Sequence, residues 1–235
     1  MINFVLDIET IPRDLRGESR KIQEYVWERA LGGRRVPEAP PGLTLDDYLA
    51  APETPRAAGV REHLETFMTL RPEFGHVICI GMGHDARGEL ERKALTARRV
   101  EDERRILEEF WETVRPAQKE WRLVTYNGLA FDVPYLLRRS LYLGVPPSRL
   151  LPLRPYLLEA HYDVMQALTN WQRGEAVRLS IVAALLGLGK VPEGMEGSQV
   201  YGLWQAGRID EIEAYCLGDV QLIYEVFRRV QEYFR

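Results

Sequence analysis

Two carboxylates stand one residue apart near the start of the sequence, directly after an apolar stretch. The segment reads MINFVLDIETIPR, and its acids are Asp7 and Glu9. In a strand over residues 2–8, successive side chains alternate between faces, so both acids project from the same face. Two like charges repel there unless a cation lies between them. The pair is therefore either a solvated strand end or part of a divalent-metal site.

A third acid, Asp132, stands at the predicted start of a helix. Pro134 is tolerated only in the first turn of a helix, and Gly144 is a favourable residue just past its end. These two residues predict a helix over 133–143. Asp132 is then either a carboxylate that stabilises the helix start or a further metal ligand that follows a strand.

The fourth acid, Asp219, belongs to a long terminal helix predicted over residues 208–234. It lies on or beside the apolar stripe of that helix, where a carboxylate needs a partner because burying an uncompensated charge is costly. Tyr215 lies one turn earlier on the same face, and by itself it has the pattern of a core-edge tyrosine. Together with the first three acids, Asp219 could complete one metal site.

The remaining patterns predict the elements that would position these residues. The predicted elements are, in chain order, a strand over 2–8, a helix over 19–31, an extended segment over 37–55, a helix over 57–70, a hairpin over 77–96 with its turn at 84–88, a helix over 101–114, a strand over 122–126, a helix over 133–143, a strand over 160–164, a helix over 179–186 and the terminal helix. This alternation predicts an α/β fold.

Composition limits the classes of protein that fit. With 235 residues, 46% of them hydrophobic and 28% charged, the chain has the composition of one large globular domain, without an apolar run long enough to cross a membrane. Cys79 and Cys216 show neither disulfide nor zinc spacing, so a reduced, cytoplasmic setting is expected. The net charge of -4 argues against a protein that coats duplex nucleic acid, although it allows a local basic groove.

Three short motifs resemble, in order, those of the DEDD superfamily of 3′-5′ exonucleases. They are DIET at residues 7–10, NGLAFD at 127–132 and YCLGD at 215–219. The tyrosine at the start of the third motif marks the tyrosine branch of that superfamily. Four longer stretches are similar to the predicted stand-alone exonucleases related to the proofreading domain of family B DNA polymerases: RPEFGHVICIG, TYNGLAFDVPYL, GSQVYGLW and IEAYCLGDV.

The resemblance implies an RNase H-like fold, with a central mixed sheet flanked by helices and a helical or loop insertion after the first strand. We therefore expect residues 1–235 to form a single exonuclease domain with an insertion at about 13–70. That insertion is the part of the chain that the resemblance explains least. No polymerase domain is recognised, so a polymerase or repair partner is expected to act in trans.

The resemblance also implies a role for each acid. It implies two bound divalent ions, and Mg²⁺ or Mn²⁺ would suit because both prefer the hard oxygen ligands that carboxylates supply. By analogy, Asp7 would bridge both ions, Glu9 and Asp219 would complete the first site, and Asp132 would serve the second. Tyr215 would orient the attacking water through its hydroxyl group. It would not act as a strong base, because an unperturbed tyrosine has a pKa of about 10.

Weaker expectations concern the substrate. Thr10 and Ile11 are expected to contact the terminal nucleotide, and Asn127 and Phe131 to shape the path of the strand. The implied activity is release of nucleoside monophosphates from the 3′ end of single-stranded DNA. An RNase D-like exoribonuclease and a catalytically silent nucleic-acid-binding domain remain as alternatives. For Asp163, at the end of another predicted strand, a packing role and a contact with the site both stay open.

Overall fold

The chain divides into two compact units. Met1–Glu9 and Val77–Arg235 form one, the sheet unit, and Thr10–His76 forms the other, the helical unit. The computed structural model describes residues 2–32, 40–86, 89–115, 121–172, 174–189 and 195–234.

The elements alternate between strands and helices. The strands are β1 (Ile2–Pro12), β2 (Gly75–Ala86), β3 (Glu89–Thr96), β4 (Trp121–Thr125) and β5 (His161–Asp163). The helices are α1 (Arg20–Leu31), α2 (Leu45–Ala50), α3 (Ala58–Thr69), α4 (Glu103–Thr113), α5 (Asp132–Leu143), α6 (Val164–Thr169), α7 (Leu179–Leu185), α8 (Val200–Gln205) and α9 (Ile209–Val230).

The five strands form one mixed sheet in the order β3-β2-β1-β4-β5. β4 runs parallel to β1 on one side and to β5 on the other, whereas β2 and β3 are antiparallel. Because β1, β4 and β5 run the same way, their carboxyl ends meet at one edge of the sheet. Helices cover both faces, and the predicted RNase H-like α/β fold with a mixed central sheet is confirmed.

Alternation along β1 assigns its side chains to two separate cores. Leu6 and Ile8 pack with residues of α4 and α5, while Val5 packs with residues of α9 on the opposite face. Asp7 and Glu9 have the same parity as Val5. Both acids therefore project toward the face that α9 covers.

A glycine in β2 lets α9 approach the sheet closely. A Cβ atom at Gly81 would lie 2.7 Å from the Sγ atom of Cys216 and 2.8 Å from Cγ2 of Val220, both on α9. These separations are too short for a side chain, so only glycine permits this packing. The close contact fixes the stretch of α9 that carries Tyr215 and Asp219.

Most predicted elements occur within a residue or two of their expected bounds, and Gly144 ends α5 in the left-handed conformation with φ of +66°. Four predictions were wrong in part. β1 continues to Pro12, four residues past the predicted end at residue 8. Residues 45–50 form α2 instead of an extended segment, because Thr44 and Asp47 make a reciprocal capping box. β2 continues through Ala86, so the hairpin turn does not begin at residue 84, and residues 87–88 lie outside the described part. The terminal helix ends at Val230, before residue 234.

The helical unit has a small apolar core of its own. Side chains of α1 and α3 supply most of it, among them Val26, Val60 and Leu64. Across the described ranges of the chain, no helix has both the length and the apolar character needed to cross a bilayer.

Candidate active site

The first two acids lie on β1 as the sequence predicts. Asp7 is half-buried and Glu9 is buried. The thiol of Cys216 on α9 lies beside them, with its sulfur 3.8 Å from both the backbone oxygen and Oδ2 of Asp7. One ligand atom from each of Asp7, Glu9 and Cys216 falls within 4.8 Å of the others. The middle of β1 and the middle of α9 thus meet at these carboxylates.

Asp132 joins this group from α5. It is the first residue of that helix, one residue earlier than predicted, and its side chain is buried. Its Oδ1 atom accepts a hydrogen bond of 3.1 Å from the backbone N–H of Ile8, which stands between Asp7 and Glu9. The carboxylate therefore fastens the start of α5 to β1 at the position where the two other acids project.

Tyr215 and Asp219 complete the group from α9. Tyr215 is buried, Asp219 is half-buried, and the tyrosine hydroxyl donates a hydrogen bond to the Asp219 carboxylate. The two residues are one turn apart on the same helix face, so a tyrosine and a carboxylate can meet without distortion.

Electrostatics show that the four acids lie close enough to repel one another. Burial raises the pKa of Asp7 well above its ordinary value, and the carboxylates of Asp132, Glu9 and Asp219 raise it further. Burial, followed by the charge of Asp219, likewise raises the pKa of Glu9. Burial raises the pKa of Asp132 to about 7, although hydrogen bonds from backbone N–H groups oppose the shift. The four predicted acids are therefore brought into one cluster.

The donor set of this cluster suits divalent cations. Carboxylate oxygens are the ligands preferred by Mg²⁺ and Mn²⁺. Within the residues that the structure describes, no arginine, lysine or histidine forms an ion pair with Asp7, Glu9 or Asp132. A bound cation would therefore offset a repulsion that the described side chains leave in place.

The loop that leads to Asp132 is held by Asp163. This carboxylate is fully buried at the end of β5, and it accepts the backbone N–H groups of Asn127 at 2.9 Å and Leu129 at 3.0 Å. It also accepts the N–H of Gln166 at 3.2 Å, which caps α6. Of the two roles that the sequence left open, the structure shows the packing role, since Asp163 holds the loop in front of α5, and its charge also contributes to the raised pKa of Asp132.

A second hydrogen-bonded chain supports the same loop. The Nδ1 atom of His161 lies 2.9 Å from the carbonyl oxygen of Pro152, so Nδ1 carries the proton. Its Nε2 atom then accepts from the hydroxyl of Thr125 at 2.8 Å, and the Thr125 oxygen accepts the N–H of Gly128 at 3.1 Å. Burial lowers the pKa of His161, which keeps the ring neutral in this chain.

The four weaker candidates lie in different surroundings. Thr10 is buried and donates its hydroxyl to the carbonyl oxygen of Thr69 at 3.1 Å, and Ile11 is buried as well, both within the helical unit. Phe131 packs against Tyr135 with ring centroids 5.3 Å apart. Asn127 has a left-handed backbone with φ of +69° and lines a hollow beside the acids. The substrate contacts expected of all four stay predictions.

That hollow reveals residues that the sequence reasoning missed. It has a volume of about 530 Å³, and its walls include Tyr126, Arg178, Ser180 and Ser198 together with the site residues Asn127, Tyr215 and Asp219. Tyr126 is also fixed there, because its hydroxyl donates to the carbonyl oxygen of Val177 at 2.6 Å. Arg178 and Ser198 come from connecting segments without periodic patterns, and although Tyr126 and Ser180 belong to or border predicted elements, nothing in their spacing indicated that they face the acids.

Comparison with known proteins agrees with this arrangement. Residues 66–234 match a family described as predicted 3′-5′ exonucleases related to the exonuclease domain of PolB. The match covers Asp132, Tyr215 and Asp219 and begins after Asp7 and Glu9. A DNA polymerase of Pyrococcus glycovorans is 23% identical over 143 residues, which is 55% of this chain but 18% of the polymerase.

The chain thus spans less than a fifth of the length of that polymerase, in the part where the two are similar. The family match extends over well more than half of the chain and includes most of the sheet unit. The protein is an enzyme of the 3′-5′ exonuclease class, and the chain belongs to the family of predicted 3′-5′ exonucleases related to the exonuclease domain of PolB.

Proposed function

We propose that this exonuclease removes nucleoside monophosphates from the 3′ end of single-stranded DNA with the help of two divalent cations, Mg²⁺ or Mn²⁺. The observation that carries the proposal is the cluster of Asp7, Glu9, Asp132 and Asp219. These acids come from three elements; the charges of Asp132 and Asp219 raise the pKa values of Asp7 and Glu9, and burial raises that of Asp132. Such an arrangement is costly unless cations are bound there.

The four acids would hold the two cations, which when bound activate water and stabilise the charge that develops on the phosphate. The carboxylates of Asp132, Glu9 and Asp219 all raise the pKa of Asp7, so Asp7 is close to each of the other acids. In the proposed arrangement it would serve as the shared ligand. Asp132 is held in place by the N–H of Ile8, so its carboxylate is oriented before any cation binds.

Tyr215 would position the attacking water without removing its proton. Burial and the neighbouring charges of Asp219 and Glu9 raise the pKa of its hydroxyl, so the group stays protonated at neutral pH. Its proton is directed to Asp219, which leaves the lone pairs of the oxygen available to accept a hydrogen bond from water. Tyr215 is therefore an orienting group rather than a general base.

DNA is proposed as substrate because the family is related to the exonuclease domain of a DNA polymerase. The further expectations stay with this proposal: a cytoplasmic setting, in line with two free, buried cysteines, and a polymerase or repair partner in trans. We also propose that the helical unit is an insertion within one exonuclease domain, which corresponds to the segment at about 13–70 in the sequence.

The test uses single-stranded DNA labelled at its 5′ end, and RNA of the same sequence, with Mg²⁺, Mn²⁺ or EDTA. We expect a ladder that shortens from the 3′ end, is absent in EDTA and is produced faster from DNA. Asp7→Asn should lower the rate about a thousandfold, because several kcal/mol of transition-state stabilisation depend on the cations. Asp210→Asn is the matched control, since Asp210 is exposed on α9 and should change the rate less than about twofold.

Cleavage that survives both EDTA and Asp7→Asn would refute the role of the cluster. If RNA were shortened faster than DNA, the proposed chemistry would stand, but the preferred substrate would be RNA.

A further inference from the structure

One side of helix α1 in the helical unit carries positive charges beside an exposed aromatic ring. Lys21, Tyr25 and Arg29 follow one another at intervals of four residues, so they lie along one side of the helix, and all three are exposed. Among the described residues of the chain, neither Lys21 nor Arg29 forms an ion pair. The tyrosine ring therefore has an uncompensated cation one turn before it and another one turn after it.

Other exposed arginines of the helical unit are paired with acids. Arg16 lies 3.0 Å from Asp14, and Arg20 lies 2.8 Å from Glu24. Of the two acids in α1, Glu24 is thus held by Arg20, which leaves Glu28 against Lys21 and Arg29. The charge that remains on this side of α1 is positive and is accessible to a ligand.

A row of aromatic rings continues from Tyr25. Its ring centroid lies 5.8 Å from that of Phe74, and the ring of Phe74 is stacked on that of Phe67 at 6.3 Å with the planes 20° apart. The guanidinium of Arg71 lies over Phe67, 3.6 Å from the ring centroid, and donates to the carbonyl oxygen of Phe67 at 2.8 Å. This row of contacts begins at Tyr25, which is 51% exposed, and ends at the exposed Arg71.

The cations of α1 and of this row lie close together. Burial, followed by the charge of Arg29, lowers the pKa of Arg71, while smaller effects of Tyr25 and Glu73 oppose the shift. Both guanidinium groups stay charged at neutral pH, because arginine keeps its proton in proteins. An anion that contacts both groups would offset their repulsion, and a phosphate is the anion that arginine binds best.

We propose that this face of the helical unit binds single-stranded nucleic acid through its bases and phosphates. The face consists of Lys21, Tyr25, Arg29, Phe67, Arg71 and Phe74. Exposed rings and arginine planes bind unpaired bases by stacking, and cations beside them contact the phosphates. The faces of bases inside a duplex are already covered, so a single strand fits better than a duplex.

The inference goes beyond the proposed function. The four acids that would hold cations belong to the sheet unit, whereas every residue of this face belongs to the helical unit. The proposed function supplies only the choice of DNA as the probe. The segment that the family resemblance explains least thereby acquires a role, as a second surface for nucleic acid.

The test measures binding of a fluorescent single-stranded oligonucleotide to the full chain in EDTA, by fluorescence anisotropy. Without divalent cations the strand is not expected to be cleaved, and the acids of the sheet unit repel its phosphates. Arg29→Ala should lower the slope of log Kd against log salt concentration by about 0.7, the value for one phosphate contact of a single strand. At about 0.1 M salt this corresponds to a loss of affinity of about fivefold.

Arg56→Ala is the matched control, because Arg56 is also an exposed arginine of the helical unit. It stands just before α3, and Arg71 stands just after that helix of 12 residues. About 18 Å of helix separate the two positions, which exceeds the screening length of about 10 Å at that salt concentration. Arg56→Ala should therefore change Kd less than about twofold. Glu28→Gln should act in the opposite direction and tighten binding, since it removes an acid beside Arg29.

Tyr25 provides a measurement that does not depend on charge. Tyr25→Ala should weaken binding about fivefold or more, the expected loss of one stacked base, and Tyr25→Phe should bind like wild type because it keeps the ring. A strand of abasic nucleotides cannot stack, so wild type and Tyr25→Ala should bind it equally. The same strand in a duplex should bind more weakly than when it is single.

Equal affinities of wild type, Arg29→Ala and Tyr25→Ala would overturn the proposal, and this result is expected if the face binds an acidic protein segment instead. Equal losses in Arg29→Ala and Arg56→Ala would overturn it too, because they would show a general effect of charge. The proposed function fails in a different way. A wild-type enzyme that bound the strand in EDTA but produced no 3′ shortening in Mg²⁺ would refute the proposed function and leave this face in place.

Discussion

Two sites in the sheet unit contain buried carboxylates, and the charge of these carboxylates is compensated in only one of the two. Between α4 and α5, Glu103 accepts hydrogen bonds from the Arg139 guanidinium at 2.7 and 2.6 Å, and it also accepts the N–H of Val77 at 2.8 Å. Both side chains of this pair are at most 4% exposed. On β1, by contrast, Asp7 and Glu9 face other carboxylates, and their pKa values are raised.

The difference separates structural acids from functional ones. Burial alone would lower the pKa of Arg139, but the hydrogen bonds and charge of Glu103 outweigh it and raise that pKa, so the pair stays ionised. The Glu103 site is complete in the folded chain. In the proposed function, bound cations would balance the cluster on β1, and without them its repulsion lowers the stability of the protein. The first site supports the fold, whereas the second is proposed to serve the chemistry.

The largest expected effect tests the structural half of this comparison. Arg139→Met leaves the Glu103 carboxylate buried without its cation, which costs about 3–5 kcal/mol of unfolding free energy. Urea denaturation at pH 7 measures this loss. Activity per folded molecule should stay within about twofold of wild type, because Arg139 lies outside the catalytic cluster.

An exposed ion pair is the matched control. Arg98 and Asp210 are 3.1 Å apart, with side chains that are 70% and 86% exposed. Arg98→Met should therefore change the unfolding free energy by less than about 1 kcal/mol. If Arg139→Met destabilised the protein no more than Arg98→Met, burial of the Glu103 pair would not distinguish it from a surface pair.

The next effect tests the functional half through pH. The pKa of Asp132 is about 7 in the folded chain and about 4 in an unfolded one, so between these values the folded state binds more protons. The contribution of Asp132 to the unfolding free energy is therefore fully present below about pH 4 and is lost as the pH rises from about 4 to about 7. In EDTA, the unfolding free energy of wild-type enzyme should fall by a few kcal/mol over this range.

Asp132→Asn isolates this contribution. The amide oxygen can still accept the N–H of Ile8, but the residue no longer titrates. The difference in unfolding free energy between wild type and variant should therefore become smaller as the pH falls toward 4. Saturating Mg²⁺ should stabilise wild-type enzyme at pH 7 and have less effect on the variant. A difference that is independent of pH would show that the pKa of Asp132 is not raised in the folded chain.

The sequence predicted the fold and the acids for the same reason, since both depend on regular spacing. Alternation places Asp7 and Glu9 on one face of β1, and the pattern of apolar residues places Asp219 beside the core-facing stripe of α9. Local rules also identified the end of α5 at Gly144. The helix α2 was missed because six residues are too few for a clear helical period, and only its capping box indicates it.

The supporting residues could not be predicted in this way. Asp163 is important because β5 runs parallel to β4, which brings its carboxylate to a loop that is more than thirty residues away in the sequence. Arg178 and Ser198 reach the hollow beside the acids from segments without periodicity. Such contacts depend on tertiary packing, and no local pattern encodes them.

Asp163→Asn is expected to have a smaller effect, on both the unfolding free energy and the activity. The amide retains one acceptor oxygen but opposes a backbone N–H of the 127–129 loop with a donor, which costs about 1–3 kcal/mol. Because the loop leads directly into Asp132, kcat should fall and the Mg²⁺ concentration for half-maximal rate should rise. Arg139→Met supplies the control, since it is destabilised at least as much without a change in Mg²⁺ requirement. Equal Mg²⁺ requirements in both variants would reduce Asp163 to a purely structural residue.

The smallest expected effect concerns Tyr215, which belongs to the proposed catalytic cluster but carries no charge. Tyr215→Phe removes the hydrogen bond to Asp219 and, in the proposed mechanism, one to the attacking water, while the four carboxylates remain. A hydrogen bond of about 0.5–1.5 kcal/mol corresponds to a roughly two- to thirteenfold lower kcat, with an unchanged Mg²⁺ requirement. The raised pKa of the hydroxyl also predicts that wild type and Tyr215→Phe have rate profiles of the same shape up to about pH 10. If the pH–rate profile of wild type fell at high pH and that of Tyr215→Phe did not, Tyr215 would ionise during catalysis. Its charge, like those of the carboxylates, would then need a nearby cation.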